Sequence, residues 1–216
     1  MEKEKIIWET EAYIRTVFQK EGSGHDWWHI HRVRQLAALI AKNEDTDWFL
    51  VDMVALLHDL DDWKLTKDQH AKNGKTCVWL ENLRIDEVLA QKIIDAIDQV
   101  SYKGAGVETK ATSIESKIVQ DADRLDAIGA IGVARTFAYG GHKNRLIYDP
   151  NIPPGEHQSF EEYKKAEGPT INHFYEKLLL LKDRMNTDTA KKLAEERHHF
   201  MLHFLDQFYN EWNCIS

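Results

Sequence analysis

Apolar residues recur along most of this chain at the three- and four-residue spacing that places them on one face of a helix. Three N-terminal segments show this spacing, with apolar positions at Ile7, Ile14, Val17 and Phe18, then Val33, Leu36, Ala37 and Ile40, then Phe49, Val54, Leu56 and Leu57. Further helical segments are predicted near 70–83, 86–101, 111–137, 169–185 and 187–212. No convincing alternation of apolar and polar residues competes with them, so the pattern predicts an all-α fold.

Capping residues and glycines mark where the helices begin and where the chain becomes irregular. The strings DTD at 45–47 and NTDT at 186–189 place N-cap side chains directly before helical patterns. Three of the four prolines lie in one region, about 140–158, which opens with Gly140-Gly141. An irregular region of this length in a compact domain is usually functional or mobile, so we expect a loop there.

Composition and charge restrict the partners. The formal net charge of -8 argues against nucleic acid, because phosphate backbones are bound by basic surfaces. A local basic cluster can still hold a small phosphorylated substrate. No apolar run approaches the ~20 residues that span a bilayer, and the charged, amphipathic N-terminus does not resemble a secretory signal. We therefore expect a cytoplasmic protein without a membrane partner; its oligomeric state stays open.

The strongest concentration of chemistry-bearing residues is ALLHDLDDWK, residues 55 to 64. His58 and Asp59 are adjacent there and close an apolar helix, which places both side chains at the edge of the core. Adjacent residues on a helix point about 100° apart, so both reach one ion only if the ion lies near the line of the helix axis between them. That geometry suits a metal with additional ligands from other helices. His29, in GHDWWHIHRV, is a candidate. Imidazole and carboxylate together suit Mn, Fe, Zn and related divalent ions, which predicts a metal site.

A second group of acidic residues lies in VQDADRLDAIG, residues 119 to 129. Asp121, Asp123 and Asp126 fall there in an otherwise apolar helical stretch. Carboxylates on an inward face are costly unless they are paired or bound to a metal. This stretch is therefore expected to contribute to the same site.

The chain resembles the HD superfamily of metal-dependent phosphohydrolases, and within it the bacterial single-domain branch. The resemblance rests on the order H…HD…D and on the strings GHDWWHIHRV, LLHDLDDWK, SYKG, DADRLDAIGAIG and HFYEKLLLLKDRMNT, which run across nearly the whole chain. It implies a single helical domain over 1–216, with a metal-site core of about 24–130 and C-terminal helices of about 158–212 packing on it. We expect one divalent ion per chain, Mn or Mg, with Co, Ni, Fe and Zn as alternatives.

By this resemblance the metal ligands are His29, His58, Asp59 and Asp123. Asp123 is preferred because Ala122-Asp123-Arg124-Leu125 matches the family's Ala-Asp-Arg/Lys-Leu pattern. Asp121 and Asp126 remain alternatives if the alignment with that pattern is shifted. The other two histidines of GHDWWHIHRV have other expected roles. His31 is expected to be a surface or packing residue, and His25 is a candidate for substrate contact.

The catalytic candidate follows from the same resemblance, and the substrate-binding candidates follow from the positions of basic residues. Asp62 matches the position at which relatives place a catalytic acid, and it lies four residues beyond His58, on the same face if the helix continues; Asp61 is the alternative. The candidates for binding phosphate oxygens are basic residues near the metal ligands or on the predicted loop: Arg32, Lys64, Lys103 and Arg145, with Lys143 beside the last.

The function implied by the resemblance is hydrolysis of a phosphoester or phosphoanhydride bond. The closest-looking branch acts on nucleoside triphosphates and releases pyrophosphate. The alternatives are a nucleotide phosphomonoesterase of the 5'-nucleotidase type and a catalytically idle HD domain that senses a nucleotide. Asp61, Asp62 and the basic residues favour an enzyme, because a pure sensor has little need of a base beside the metal.

Overall fold

The computed structural model describes residues 2–19, 26–61, 74–100, 109–155 and 168–215. These ranges contain helices and no strand, which confirms the prediction of an all-α fold. The helices are α1 (Glu2–Val17), α2 (Trp27–Ala41), α3 (Trp48–Leu57), α4 (Gly74–Asn82), α5 (Glu87–Asp98), α6 (Ile114–Asp126), α7 (Gly129–His142), α8 (Asn172–Glu176) and α9 (Asp188–Trp212), with a 3-10 helix at Leu178–Arg184 between the last two.

The chain groups into two compact units. The first contains Met1–Tyr102 and Thr109–Ala122, and the second contains Lys103–Glu108 and Asp123–Ser216. Helix α6 therefore contributes residues to both. The extent of a single domain over 1–216 stays a prediction.

Helix α3 is the centre of the first unit, where it packs against α1, α2 and α5. Its sequence WFLVDMVALL is apolar on nearly every side, and a helix of that kind is stable when it is surrounded by others. The side chain of Asp47 begins it by accepting the N–H of Phe49 at 3.0 Å. Thr187 caps α9 in the same way, accepting the N–H of Ala190 at 3.3 Å. Both predicted N-caps are confirmed.

An ion-pair network links the first three helices. Arg34 of α2 donates from Nε and one terminal nitrogen to the two carboxylate oxygens of Asp52 of α3, at 2.5 and 2.8 Å. Its other terminal nitrogen donates to Glu11 of α1 at 2.6 Å. A forked contact of this type is directional. It therefore holds α2, which carries His29, and α3, which His58 directly follows, in one relative orientation.

In the second unit the long helix α9 packs against α7 and the 3-10 helix. Aromatic side chains fill this region. Phe174 of α8 stacks on Phe204 of α9, with ring centres 5.6 Å apart, and Phe137 of α7 contacts both. The prediction of helix near 169–185 is met by the short α8 and the 3-10 helix.

The prediction of one continuous helix over 111–137 is wrong. Helix α6 ends at Asp126 and α7 begins at Gly129, whose φ is +76°. The carbonyl oxygen of Leu125 accepts the N–H of Ile128 at 3.2 Å and the guanidinium of Arg197 at 2.5 Å, and the carbonyl oxygen of Asp126 accepts from the guanidinium of Arg135 at 3.3 Å. Arginine side chains thus add hydrogen-bond donors at the C-terminal end of α6, where positive charge is favourable.

The irregular region also begins later than predicted. Gly140 and Gly141 lie inside α7, which continues to His142. At Gly140 the helix runs close to Thr170, since a Cβ there would lie 2.3 Å from the Thr170 Oγ1 atom. This glycine therefore permits close packing rather than a turn. In the part of the chain that is described, no helix is long and apolar enough to cross a bilayer.

Candidate metal centre

His29 lies in the first turn of α2. The Asp26 carboxylate begins this helix by accepting the backbone N–H of His29 at 2.8 Å. The same turn directs the His29 side chain inward, where it is 0% exposed, beside the core residues Ile30 and Val33. Local helix capping therefore places an imidazole in the interior of the first unit.

His58 and Asp59 follow directly after α3. The helix ends at Leu57, and residues 58–61, called the HD turn here, form a turn in which the N–H of Leu60 donates to the Leu57 carbonyl at 3.0 Å. The His58 Nδ1 atom lies 2.9 Å from the carbonyl oxygen of Ala55. Because a carbonyl only accepts, Nδ1 carries the hydrogen, and the lone pair of the neutral ring is on Nε2.

Donor atoms of three side chains converge in the first unit. The Nε2 atoms of His29 and His58 are 3.4 Å apart, and the Asp59 carboxylate oxygens lie 3.3 Å from His29 Nε2 and 3.6 Å from His58 Nε2. His58 and Asp59 are each 5% exposed. Among the described residues this is the group of histidine, cysteine and acidic side chains whose geometry suits a metal ion.

The spacing of these atoms fits a divalent transition ion. Imidazole nitrogen and carboxylate oxygen bind such ions at about 2.0–2.2 Å, so neighbouring ligands around one ion are separated by about 3 to 3.5 Å. The two separations at His29 Nε2, 3.3 and 3.4 Å, lie in that range, and the separation of 3.6 Å between His58 Nε2 and the Asp59 carboxylate lies just beyond it. A cation would also offset the cost of burying the Asp59 carboxylate. The donor set and its geometry therefore fit the metal that the sequence pattern predicts.

The aspartates of α6 occupy different surroundings. Asp123 lies in the last turn, half-buried, and belongs to the second unit; its role as a ligand stays a prediction. Asp126 accepts a hydrogen bond from Arg135 at 2.6 Å, which weighs against this alternative. Asp121, the other alternative, is fully buried in the first unit.

Asp61, predicted as the alternative catalytic residue, contacts backbone atoms. Its Oδ1 accepts the N–H of Lys75 and its Oδ2 accepts the N–H of Thr76, each at 3.0 Å. These two donors lie in the first turn of α4. They were not predictable from the sequence, because every residue except proline has a backbone N–H. The HD turn also replaces the continuing helix on which the shared face of His58 and Asp62 depended.

Some of the remaining predicted residues lie in the described ranges. Arg32 is half-buried on α2, one turn after His29. In the second unit, Arg145 is half-buried, with its guanidinium carbon 5.8 Å from the centre of the Tyr139 ring, and Lys143 Nζ is 5.7 Å from the same ring. His31 contacts the rings of Trp27 and Trp28, as expected of a packing residue. Four predicted residues lie outside the described ranges: His25, Asp62, Lys64 and Lys103.

Comparison with known proteins shows similarity in sequence and in fold. The HD domain family matches residues 27–128, a range that contains all four predicted ligands. The protein YpgQ of Bacillus subtilis (strain 168) is 42% identical over 91% of this chain and 88% of its own length.

Solved structures agree with the sequence comparison. An HD-superfamily hydrolase from Bacillus thuringiensis is 44% identical, with a TM-score of 0.76 over 98% of each chain. A protein from Lactobacillus plantarum is 39% identical, with a TM-score of 0.89 over 98% of each chain. Bacillus subtilis YpgQ, solved in complex with ADP, is 38% identical, with a TM-score of 0.77 over 98% of this chain and 97% of its own. The chain therefore belongs to the HD-domain family and is a metal-dependent hydrolase of the HD superfamily.

Proposed function

We propose that this protein hydrolyses nucleoside triphosphates to nucleoside monophosphates and pyrophosphate. The observation that carries the proposal is the buried convergence of His29, His58 and Asp59, whose donor atoms are 3.3 to 3.6 Å apart. The ADP complex of YpgQ supports a nucleotide as the ligand. In the resembling bacterial branch, this site type cleaves triphosphates.

One divalent ion per chain, Mn²⁺ or Mg²⁺, completes the site, with Asp123 as the fourth protein ligand. When bound, such an ion polarises a phosphoryl oxygen and makes a coordinated water more acidic. The His58 ring is already oriented for this role by its hydrogen bond to Ala55. Four protein ligands would leave coordination positions for substrate or water, as a catalytic site requires.

Asp62 is the residue that exchanges a proton with the reacting oxygen. Both oxygens of its neighbour Asp61 already accept backbone N–H groups, which favours Asp62 over Asp61. Arg32, Lys64, Lys103 and Arg145 are assigned to the phosphate oxygens. In the reaction, water oxygen forms a bond to the α-phosphorus, the bond from that phosphorus to the bridging oxygen breaks, and pyrophosphate leaves.

A panel of nucleoside mono-, di- and triphosphates, assayed with Mn²⁺, Mg²⁺ and Co²⁺ and resolved by chromatography, tests the proposal. We expect a triphosphate to yield monophosphate and pyrophosphate, and ¹⁸O from labelled water to appear in the monophosphate. The His58→Ala chain is the control for contaminating activity. Inorganic phosphate as the first product, or label in free phosphate alone, would contradict the proposal and support the phosphomonoesterase. Binding without turnover would support the sensor.

A further inference from the structure

The contact between Asp61 and α4 joins the HD turn to a helix far along the chain. Asp61 lies two residues after Asp59, whereas its hydrogen-bond donors are Lys75 and Thr76. Each of its oxygens accepts one N–H at 3.0 Å. The first N–H groups of a helix have no partner inside the helix, and a carboxylate that binds them also opposes the positive end of the helix dipole. The carboxylate therefore acts as a cap supplied from a remote part of the chain.

Helix α4 is itself held in place by α1. The Trp79 ring of α4 stacks on Tyr13 of α1, with centres 4.0 Å apart and planes 11° apart. The Trp79 indole N–H also donates to the buried Thr10 hydroxyl at 3.1 Å. Burial and then the negative charge of Asp61 raise the pKa of Tyr13, as expected if Asp61 lies close to this contact. The cap is thus attached to a helix that is fixed independently of the HD turn.

We propose that Asp61 is a positioning residue, which ties the HD turn to the N-terminus of α4 and so holds Asp59 in place against His29 and His58. This rests on the metal site of the proposed function. A displacement of Asp61 is passed through two backbone units to Asp59, whose oxygen lies 3.3 Å from His29 Nε2. In this assignment Asp61 holds a ligand in position and exchanges no proton with the substrate.

Substitutions at Asp61 separate the positioning role from a catalytic one. Asp61→Ala removes both acceptors, and we expect the dissociation constant for Mn²⁺, measured by titration calorimetry on the full chain, to rise about 10- to 100-fold, as for other residues that orient metal ligands. Asp61→Asn keeps one acceptor oxygen, so its dissociation constant should rise less than tenfold. With saturating Mn²⁺, the kcat of Asp61→Asn should fall less than tenfold.

A general base gives a different pattern. In that case both variants would lose about 10²–10⁴-fold in kcat, because neither amide nor methyl takes a proton, while the Mn²⁺ dissociation constant would stay that of the wild type. This result would overturn the inference. Thermal unfolding of the metal-free variants serves as a check that the titrations are made on folded protein.

A substitution on the donor side leaves the Asp61 carboxylate intact. Lys75→Pro deletes one of the two N–H donors, and no internal helix bond is lost, since Lys75 is in the first turn of α4. The preceding Gly74 has no Cβ to clash with the proline ring. Lys75→Ala is the matched control, because it shortens the side chain and keeps the N–H.

We expect weaker Mn²⁺ binding for Lys75→Pro and wild-type binding for Lys75→Ala. Equal Mn²⁺ affinity of Lys75→Pro and Lys75→Ala would contradict the positioning role of the Asp61 contact. If Lys75→Pro does not fold, the comparison of Asp61→Ala with Asp61→Asn decides the question. Mn²⁺ binding is measured without nucleotide, so a wild type that binds the ion and does not cleave triphosphates overturns the proposed function alone. A wild type that binds no divalent ion overturns both.

Discussion

His58 has distinct tasks for its two ring nitrogens. Nδ1 donates to the Ala55 carbonyl, and Nε2 faces His29 and Asp59. The first contact fixes the tautomer and the ring plane that the second requires. An imidazole ring that is already oriented loses little entropy on binding a cation, so the His58 side chain is positioned before metal binding.

At the same scale, Asp62→Asn tests the assigned proton-transfer residue. The change keeps size and polarity but removes the basic oxygen, so we expect kcat to fall about 10²–10⁴-fold while Mn²⁺ binding is retained. Steady-state rates and metal titration on one preparation measure both. A rate near that of the wild type would exclude Asp62 from proton transfer.

The residues of the site were predictable to the extent that their types carry information. The adjacent pair His58-Asp59 and the upstream His29 stand out as imidazole and carboxylate in apolar helical surroundings, and the structure brings them together. The Asp61 contact was not predictable, because its donors are backbone N–H groups fourteen and fifteen residues away in the chain. Long-range pairing of that kind depends on how helices pack, which residue spacing does not record.

At the scale of elements, the presence of helices was predictable from the spacing of apolar residues, whereas the boundary between α6 and α7 was not. The apolar period continues through Ala127 and Ile128, so the pattern predicted a single helix where α6 and α7 are separate. The break is stabilised by guanidinium groups from other elements, among them Arg197 of α9. Such tertiary contacts override the local preference for helix, and no proline or polar cluster in the sequence marks the break.

Two neighbouring glycines of α7 give a matched test of helix packing. A Cβ at Gly140 would lie 2.3 Å from Thr170 Oγ1, whereas a Cβ at Gly141 has nothing within 4 Å. Gly140→Ala should therefore lower the free energy of unfolding by about 1–3 kcal/mol through overpacking. Gly141→Ala should be neutral or raise it by up to about 1 kcal/mol, because alanine favours helix. Urea unfolding of the two variants measures the difference; equal destabilisation would contradict the contact with Thr170.

At the scale of the whole molecule, metal binding is linked to folding. The unfolded chain does not bring His29, His58 and Asp59 together, so an ion that binds the folded state raises its stability. At a concentration 100 times the dissociation constant, this linkage contributes about 2.7 kcal/mol. The stability of the whole chain is therefore expected to depend on whether the metal site is occupied.

Thermal unfolding with increasing Mn²⁺ tests this linkage. The Tm should rise with Mn²⁺ concentration and return to the metal-free value on chelation, while His58→Ala should show little rise because one ligand is missing. His31→Ala, which changes a histidine that contacts Trp27 and Trp28, is the control and should respond as the wild type does. An equal rise in the His58→Ala chain would remove His58 from the ligand set.

The hydrogen bonds from Lys75 and Thr76 to Asp61 also bear on how this chain can diverge. They join Asp61 directly to residues fourteen and fifteen positions later, so the relation between Asp59 and α4 depends on these two contacts rather than on the number of residues between them. An insertion between Lys64 and Gly74 that keeps both hydrogen bonds is therefore expected to leave the Mn²⁺ affinity of this chain unchanged.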